Sequence, residues 1–166
     1  MSADERLARL ERELRELRDL EEIRALKARY FAAVDVGWEA ELPDKREQLI
    51  DGVFAEDVVL EMLTADGFTV LRGREALRDV YEEQLNAYPF GIHYGTNDLV
   101  ELDGDRASAA WHVLAPCTDP QNVSRWFGGR YLVDLVRTPE GWRIARLHQQ
   151  VAFFTAFSEP WSGTGA

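Results

Sequence analysis

The second half of this chain is written almost entirely in strands, and that constrains its fold more than any other feature. From Gly91 onward come four long stretches, Ile92–Leu102, Arg106–Cys117, Ser124–Arg137 and Trp142–Phe154. Asp103-Gly104-Asp105, a loop around Asp119-Pro120 and Thr138-Pro139-Glu140-Gly141 separate them with turn chemistry. What precedes is mostly helical. In Leu20–Trp38, Ile23, Leu26, Tyr30 and Val34 recur at helical spacing, so one face should lie against a core, with Gly37 as a stop signal. Pro43-Asp44 opens a short helix through Ile50. Val58–Leu63 and Phe68–Leu71 flank an Ala65-Asp66-Gly67 turn. A second amphipathic helix, about Arg74–Ala87, turns Leu77, Val80, Tyr81 and Leu85 inward and ends at Tyr88-Pro89. Helices followed by consecutive hairpin-linked strands predict an α+β fold, with helices on one face of a curved antiparallel sheet. A sheet bent over helices leaves a cone whose mouth is a natural small-molecule site.

Before the first amphipathic segment, Leu7, Leu10, Leu14 and Leu17 alternate in steps of three and four through a charged stretch. Two heptads are too few for an independent coiled coil, so this arm should pack on its own domain or on a neighbouring subunit. The chain therefore divides into a helical extension over 1–18, a main domain over 19–155 and a small-residue tail over 156–166. Thirty acidic against nineteen basic residues give a net charge of −11. Without basic stripes, that balance argues against nucleic acid and anionic membrane as partners. A lone Cys117 excludes an internal disulfide framework. Neither a charged-then-apolar leader nor a membrane-length apolar run is present, so the expectation is a soluble, cytoplasmic protein.

Few residues offer chemistry. Asp35 stands at the end of the first amphipathic segment, near the negative end of the helix dipole, where a carboxylate needs a partner or a role. His93 can act as a general base if a carboxylate fixes its tautomer, and Asp35 suits if the helix crosses that strand end. The competing reading is a core histidine bonded to a backbone carbonyl. Period-two counting places Trp142, Ile144, Arg146 and His148 on one face of the last strand, and His93, Gly95, Asn97 and Leu99 on one face of another. Arg146 then either holds a developing oxyanion or makes a structural ion pair. Tyr30 either donates its hydroxyl to substrate or is an aromatic core residue. Asn97, Trp38, Trp111 and His148 complete the candidate substrate contacts, with His112 a weaker candidate. There is no Gly-rich phosphate loop, nucleophile elbow or HExxH, and three scattered histidines with one cysteine give no support to a metal site.

Read in order, LEEIRALKARYFAAVD, VFAEDVVLEM (Val53–Met62), Gly73–Leu77 as GREAL, IHYGTND (Ile92–Asp98) and GWRIARLH (Gly141–His148) resemble the SnoaL-like branch of the NTF2-like superfamily, over roughly Leu17–Phe154. The resemblance implies a cone-shaped α+β barrel. It also implies kinship with scytalone dehydratase, bile acid dehydratase and hexachlorocyclohexane dehydrochlorinase, lyases that need no cofactor. Those enzymes use a His–Asp pair helped by Tyr or Lys and often Arg. By position the aspartate falls on Asp35, the Tyr/Lys position on Tyr30, the histidine on His93 and the arginine on Arg146. That pattern fits better than the Asp–Arg–Asp arrangement of the epoxide hydrolase relatives or the lone strand Asp of ketosteroid isomerases. The expectation is a cofactor-independent, metal-free dehydratase-type lyase acting on an apolar cyclic small molecule. The alternatives are an isomerase sharing the same proton abstraction, or a non-catalytic ligand-binding or assembly module. A homo-oligomer is implied, a trimer ahead of a dimer.

Overall fold

A computed structural model describes residues 1–37, 45–64 and 67–157, with the side chains of 45–48 and 84–86 outside the described set. Trp38, the Pro43-Asp44 helix start, Ala65-Asp66, the Leu85 side chain and the Pro160–Ala166 tail therefore lie outside the described residues. The elements run α1 (Ala3–Val34), α2 (Lys45–Val53), β1 (Phe54–Thr64), β2 (Gly67–Arg72), α3 (Gly73–Ala87), β3 (Phe90–Gly91), β4 (Tyr94–Asp103), β5 (Arg106–Thr118), β6 (Ser124–Thr138) and β7 (Gly141–Ala156).

The leucine-rich arm and the first amphipathic segment form one uninterrupted helix, α1. Its start is fixed by a capping box: Ser2 Oγ accepts the Glu5 N–H at 3.1 Å, and Glu5 Oε2 accepts the Ser2 N–H at 2.7 Å. Side chains through Arg18 are exposed, and Asp19 is the first buried one. Beyond it Ile23, Leu26, Tyr30, Phe31 and Val34 enter the core, as their spacing predicts.

The sheet runs β2-β1-β7-β6-β5, with both β3 and β4 on the outer edge of β5. It is mixed, which corrects the all-antiparallel expectation. β1 and β7 run parallel, Leu60 opposite Leu147 and Glu61 opposite His148. No tight turn joins these two strands, so their relative direction is set by which end of the sheet the helices return the chain to. The expected strand Ile92–Leu102 is also interrupted: β3 ends at Gly91 and β4 begins at Tyr94, leaving Ile92 and His93 between them.

Three irregularities on β4 and β7 bend the sheet. On β7, Ala145 is an extra residue between the Asp134–Arg146 and Leu135–Ile144 pairs, and Ala152 another between the Gly128–Phe153 and Gly129–Val151 pairs. On β4, Asn97 and Asp98 fall between the Thr96–His112 and Leu99–Ala110 pairs, with Asn97 at φ 56°. Bulges sharpen local twist and move the following side chains to the other face. The bend at Ala152 relies on a glycine pair. A Cβ on Gly128 would lie 2.1 Å from the Phe153 ring, and one on Gly129 would lie 2.4 Å from the Gln150 carbonyl oxygen.

Inside the curl lies a single cluster that includes Phe54, Val58, Leu60, Leu77, Trp142, Ile144 and Leu147. Polar groups are threaded through it. The Tyr30 and Tyr81 hydroxyls are 3.2 Å apart. Gln149 Nε2 donates to the Tyr131 hydroxyl at 3.0 Å, while its Oε1 accepts the Leu63 N–H at 3.0 Å. Burial pushes all three phenols above their ordinary range, Tyr30 and Tyr131 furthest. Where α1 first meets the sheet, Asp19 accepts from Arg137 Nη2 at 2.6 Å and from Trp142 Nε1 at 3.3 Å. The Arg137 guanidinium holds that carboxyl below its usual value.

Two outcomes follow from this packing. Gly129→Ala drives a Cβ against backbone that cannot step aside, and should destabilise the fold by about 2 kcal/mol, read as a urea midpoint lowered by about 1 M. The buried phenols release protons more readily in the unfolded chain than in the native one. The phenols' contribution to stability should therefore be level from neutral pH to about pH 10 and fall above it, as the unfolded state alone ionises. Urea midpoints between pH 8 and 11, with phenolate absorbance followed alongside, check this. A midpoint that does not fall over that interval would count against it.

Candidate functional site

The site is built where α1 stops. Helical geometry ends at Val34, and Asp35 is the C-cap, in extended conformation, its N–H still donating to the Phe31 carbonyl at 2.9 Å. The next residue pairs with the sheet. Val36 and Gly91 exchange two backbone hydrogen bonds, of 2.9 and 3.1 Å, in an isolated antiparallel bridge. Gly37 (φ 87°) lets the chain turn against Pro89, where a Cβ would lie 2.9 Å from the Pro89 carbonyl oxygen. The carboxylate of Asp35 is thereby carried to the gap between β3 and β4.

In that gap the backbone of His93 has left the ladder. Its N–H donates to Asp35 Oδ1 at 2.8 Å, and its ring Nδ1 lies 2.9 Å from the same oxygen. One carboxylate oxygen thus fixes both the main chain and the ring of His93. With an ionised carboxylate as acceptor, Nδ1 carries the proton and Nε2 keeps its lone pair. The two side chains are largely shielded, 22% exposed for His93 and 14% for Asp35. The imidazole stacks on the Phe31 ring, with centroids 5.8 Å apart and planes 15° from parallel. Phe31 reaches it because the facing residue is Gly95, where a Cβ would lie 2.2 Å from the Phe31 ring edge.

Phe31 also joins the pair to the aromatic interior. Its ring meets Tyr30 at 5.3 Å, Trp111 at 6.4 Å and Tyr131 at 6.4 Å between centroids. Tyr30 is buried, its hydroxyl 3.2 Å from that of Tyr81, and burial pushes its phenol well above the ordinary range. Trp111 faces inward from β5, and its buried indole N–H has no hydrogen-bond partner among the described residues. The Lys27 ammonium lies 5.9 Å from that indole ring and pairs with Asp98.

The two face assignments made by counting in twos fail at the bulges. Trp142 and Ile144 point inward, but the extra residue Ala145 sends Arg146 and His148 to the outer face and turns Leu147 and Gln149 inward. There Arg146 donates to Glu61 Oε1 at 2.7 Å and His148 Nδ1 lies 2.5 Å from Glu61 Oε2, beside Phe68. The guanidinium holds the Glu61 carboxyl below its ordinary value. Arg146 is thus a structural ion-pair partner outside the barrel and not an interior oxyanion holder. Asn97 likewise leaves the Gly95 face. At the β4 irregularity its side-chain nitrogen lies 3.1 Å from His112 Nδ1. That pair lines a shallow cleft of about 250 Å³ with Leu99, Ala110, Trp111 and Arg130. Neither Asp35 nor His93 borders it. Trp38 falls outside the described residues. Cys117 is an inert thiol, raised to about 11 by burial and the nearby Asp119. Sequence reasoning missed Tyr131, Gln149 and Lys27. The alternation of Tyr131 with Val133 and Leu135 on β6 was a usable signal; Gln149 became visible only with the bulge.

Comparison with known proteins agrees with this architecture. The SnoaL-like domain family matches residues 15–148. An uncharacterized protein of Mycobacterium tuberculosis is 31% identical over 115 residues, spanning 67% of this chain and 76% of its own. A hexachlorocyclohexane dehydrochlorinase of type 2 superposes with a TM-score of 0.74 at 21% identity, over 93% of this chain and 99% of that one. A candidate scytalone dehydratase of Novosphingobium aromaticivorans does so with a TM-score of 0.70 at 18% identity, over 89% and 91%. On the extent of the family match, together with the helix-lined curled sheet, the chain belongs to the SnoaL-like family and has its NTF2-like cone fold.

Proposed function

We propose that the protein is a cofactor-independent lyase in which His93 removes a proton from carbon and Asp35 orients and charge-stabilises it. The observation that carries this reading is the double hold of Asp35 Oδ1 on His93, 2.9 Å to ring Nδ1 and 2.8 Å to its N–H. It leaves Nε2 as the proton acceptor and supplies a negative charge for the imidazolium that forms. The substrate class follows from the surroundings. The imidazole stacks on Phe31, whose ring in turn meets Tyr30, Trp111 and Tyr131, and an aromatic wall of this kind beside the base suits an apolar cyclic molecule. Kinship in fold with a dehydrochlorinase and a candidate scytalone dehydratase adds support for an elimination.

In the proposed reaction, Nε2 takes the proton from a carbon next to an activating group. The C–H electron pair becomes the new double bond, and the C–O bond to a neighbouring hydroxyl breaks. The imidazolium returns its proton to the departing oxygen, which leaves as water. Tyr30, kept neutral by burial, and the Trp111 N–H, without a partner among the described residues, are the interior donors for substrate oxygens. Arg146 has no part, because it serves Glu61 on the outer face.

The test is isotope exchange in deuterated buffer with a panel of hydroxy-ketones, steroids and polycyclic phenols, read by mass spectrometry. The wild type should wash deuterium into, or water out of, at least one compound that binds. His93→Ala should lose this by about 10³-fold or more, and Asp35→Asn, which keeps an oxygen for the His93 N–H, by about 10²-fold or more. Arg146→Ala should leave the rate within a factor of about three. If His93→Ala exchanges every bound compound as fast as wild type, the reading fails and a binding module takes its place.

A further inference from the structure

The outer sixteen residues of α1 carry exposed side chains throughout. Leu7, Leu10, Leu14 and Leu17 are 58%, 56%, 48% and 60% exposed. Neither the proposed catalytic pair nor the aromatic interior uses them. The direction in which they face excludes the nearest occupant. At 100° per residue, the four leucines point about 180° around the helix from the residues that bind α1 to its sheet, Asp19, Ile23, Leu26, Tyr30 and Val34. The seam therefore looks away from its own domain, and the helix cannot rotate to bury it without unseating that core face. Further along the same side Ala25, Ala28 and Ala32 are exposed as well, beyond the exposed Glu21–Arg24 ion pair that closes the leucine seam.

The charges beside the seam select what approaches. With Leu7 and Leu14 at position a and Leu10 and Leu17 at d, the flanking positions are Arg6 and Glu13 at g and Glu11 and Arg18 at e. In a parallel, in-register pair each g residue meets the e residue five further on in the other helix. That sets Arg6 against Glu11 and Glu13 against Arg18, opposite signs in both cases. The antiparallel register that stacks the same four leucines sets Glu11 against Glu11 and Glu13 against Glu13, like signs in both. Within its own helix Glu13 pairs with Arg9 at 3.2 Å, which leaves it on the flank of the seam.

We infer that the seam's partner is the same arm of a second copy of this chain, parallel and in register. Because the seam faces away from the sheet, two such arms can close with their domains on opposite outer sides. Two heptads alone hold weakly. Closing them brings the two domains to high effective concentration, so that further contacts between domains reinforce the pair.

Sedimentation velocity and light scattering on the full chain test this. Wild type should self-associate in the micromolar range. The double variant Leu10→Glu/Leu14→Glu should associate at least about tenfold more weakly while its domain unfolds at an unchanged temperature, since both side chains lie off the core. Orientation is read from Leu17→Cys in a Cys117→Ser background. Parallel arms place the two position-17 side chains together, and oxidation should give a covalent dimer. The antiparallel register separates them by about 15 Å and should not. A wild type that stays monomeric, a double variant that associates as tightly as wild type, or association without disulfide formation would each overturn the inference.

Discussion

The junction between the end of α1 and the gap in the sheet is the contact on which the proposed chemistry depends. Val36 and Gly91 tie the two segments with a pair of backbone bonds, and Asp35 and His93 follow as neighbours of that tie. Backbone accounting explains why the arrangement is stable. Breaking the strand between β3 and β4 leaves the His93 N–H without a ladder partner, and a buried, unpaired amide would cost on the order of 1–3 kcal/mol. Asp35 satisfies it. The carboxylate of the proposed catalytic pair thus has a structural reason as well, and Asp35→Asn separates the two roles because it keeps the acceptor and removes the charge.

Much of this was legible in the sequence, and the failures have a common cause. Ile23, Leu26, Tyr30 and Val34 announced the buried face of α1 because a long regular helix keeps its period over several turns. The hairpin turns announced the strand order from β4 to β7. Asp35 and His93 stood out through their places at element ends, and end positions survive a register error of one residue. Arg146, His148 and Asn97 were placed by counting in twos along strands, and each lies at or beyond an inserted residue. A bulge leaves little mark in local composition; Ala145 and Ala152 look like any other small strand residue. The parallel β1–β7 pairing was illegible for a different reason: it is a contact between distant segments, and no local signal encodes its direction.

The interior carries more polar chemistry than a simple apolar cone requires. Tyr30, Tyr81, Tyr131 and Gln149 spend their hydrogen-bonding capacity partly on one another, which makes them tolerable in the core and fixes their orientation. Ionic groups follow a different rule. Glu61 with Arg146 and His148, and Asp119 with Arg125, sit where water still reaches at least one partner. Asp19 is buried as well, and it has both a guanidinium and an indole N–H to answer it.

Gly95 gives the site a property that no functional group supplies. Its missing side chain is the space into which Phe31 leans, and Phe31 in turn is the surface on which the His93 ring lies. The tilt of the imidazole is therefore written at a position that has nothing to donate, accept or ionise. Any larger residue there would displace the phenyl ring, and the histidine would keep its carboxylate while losing its floor. Two members of such a family could share every polar residue of the pair and still aim the base differently, solely through the size of the residue on the strand opposite the helix.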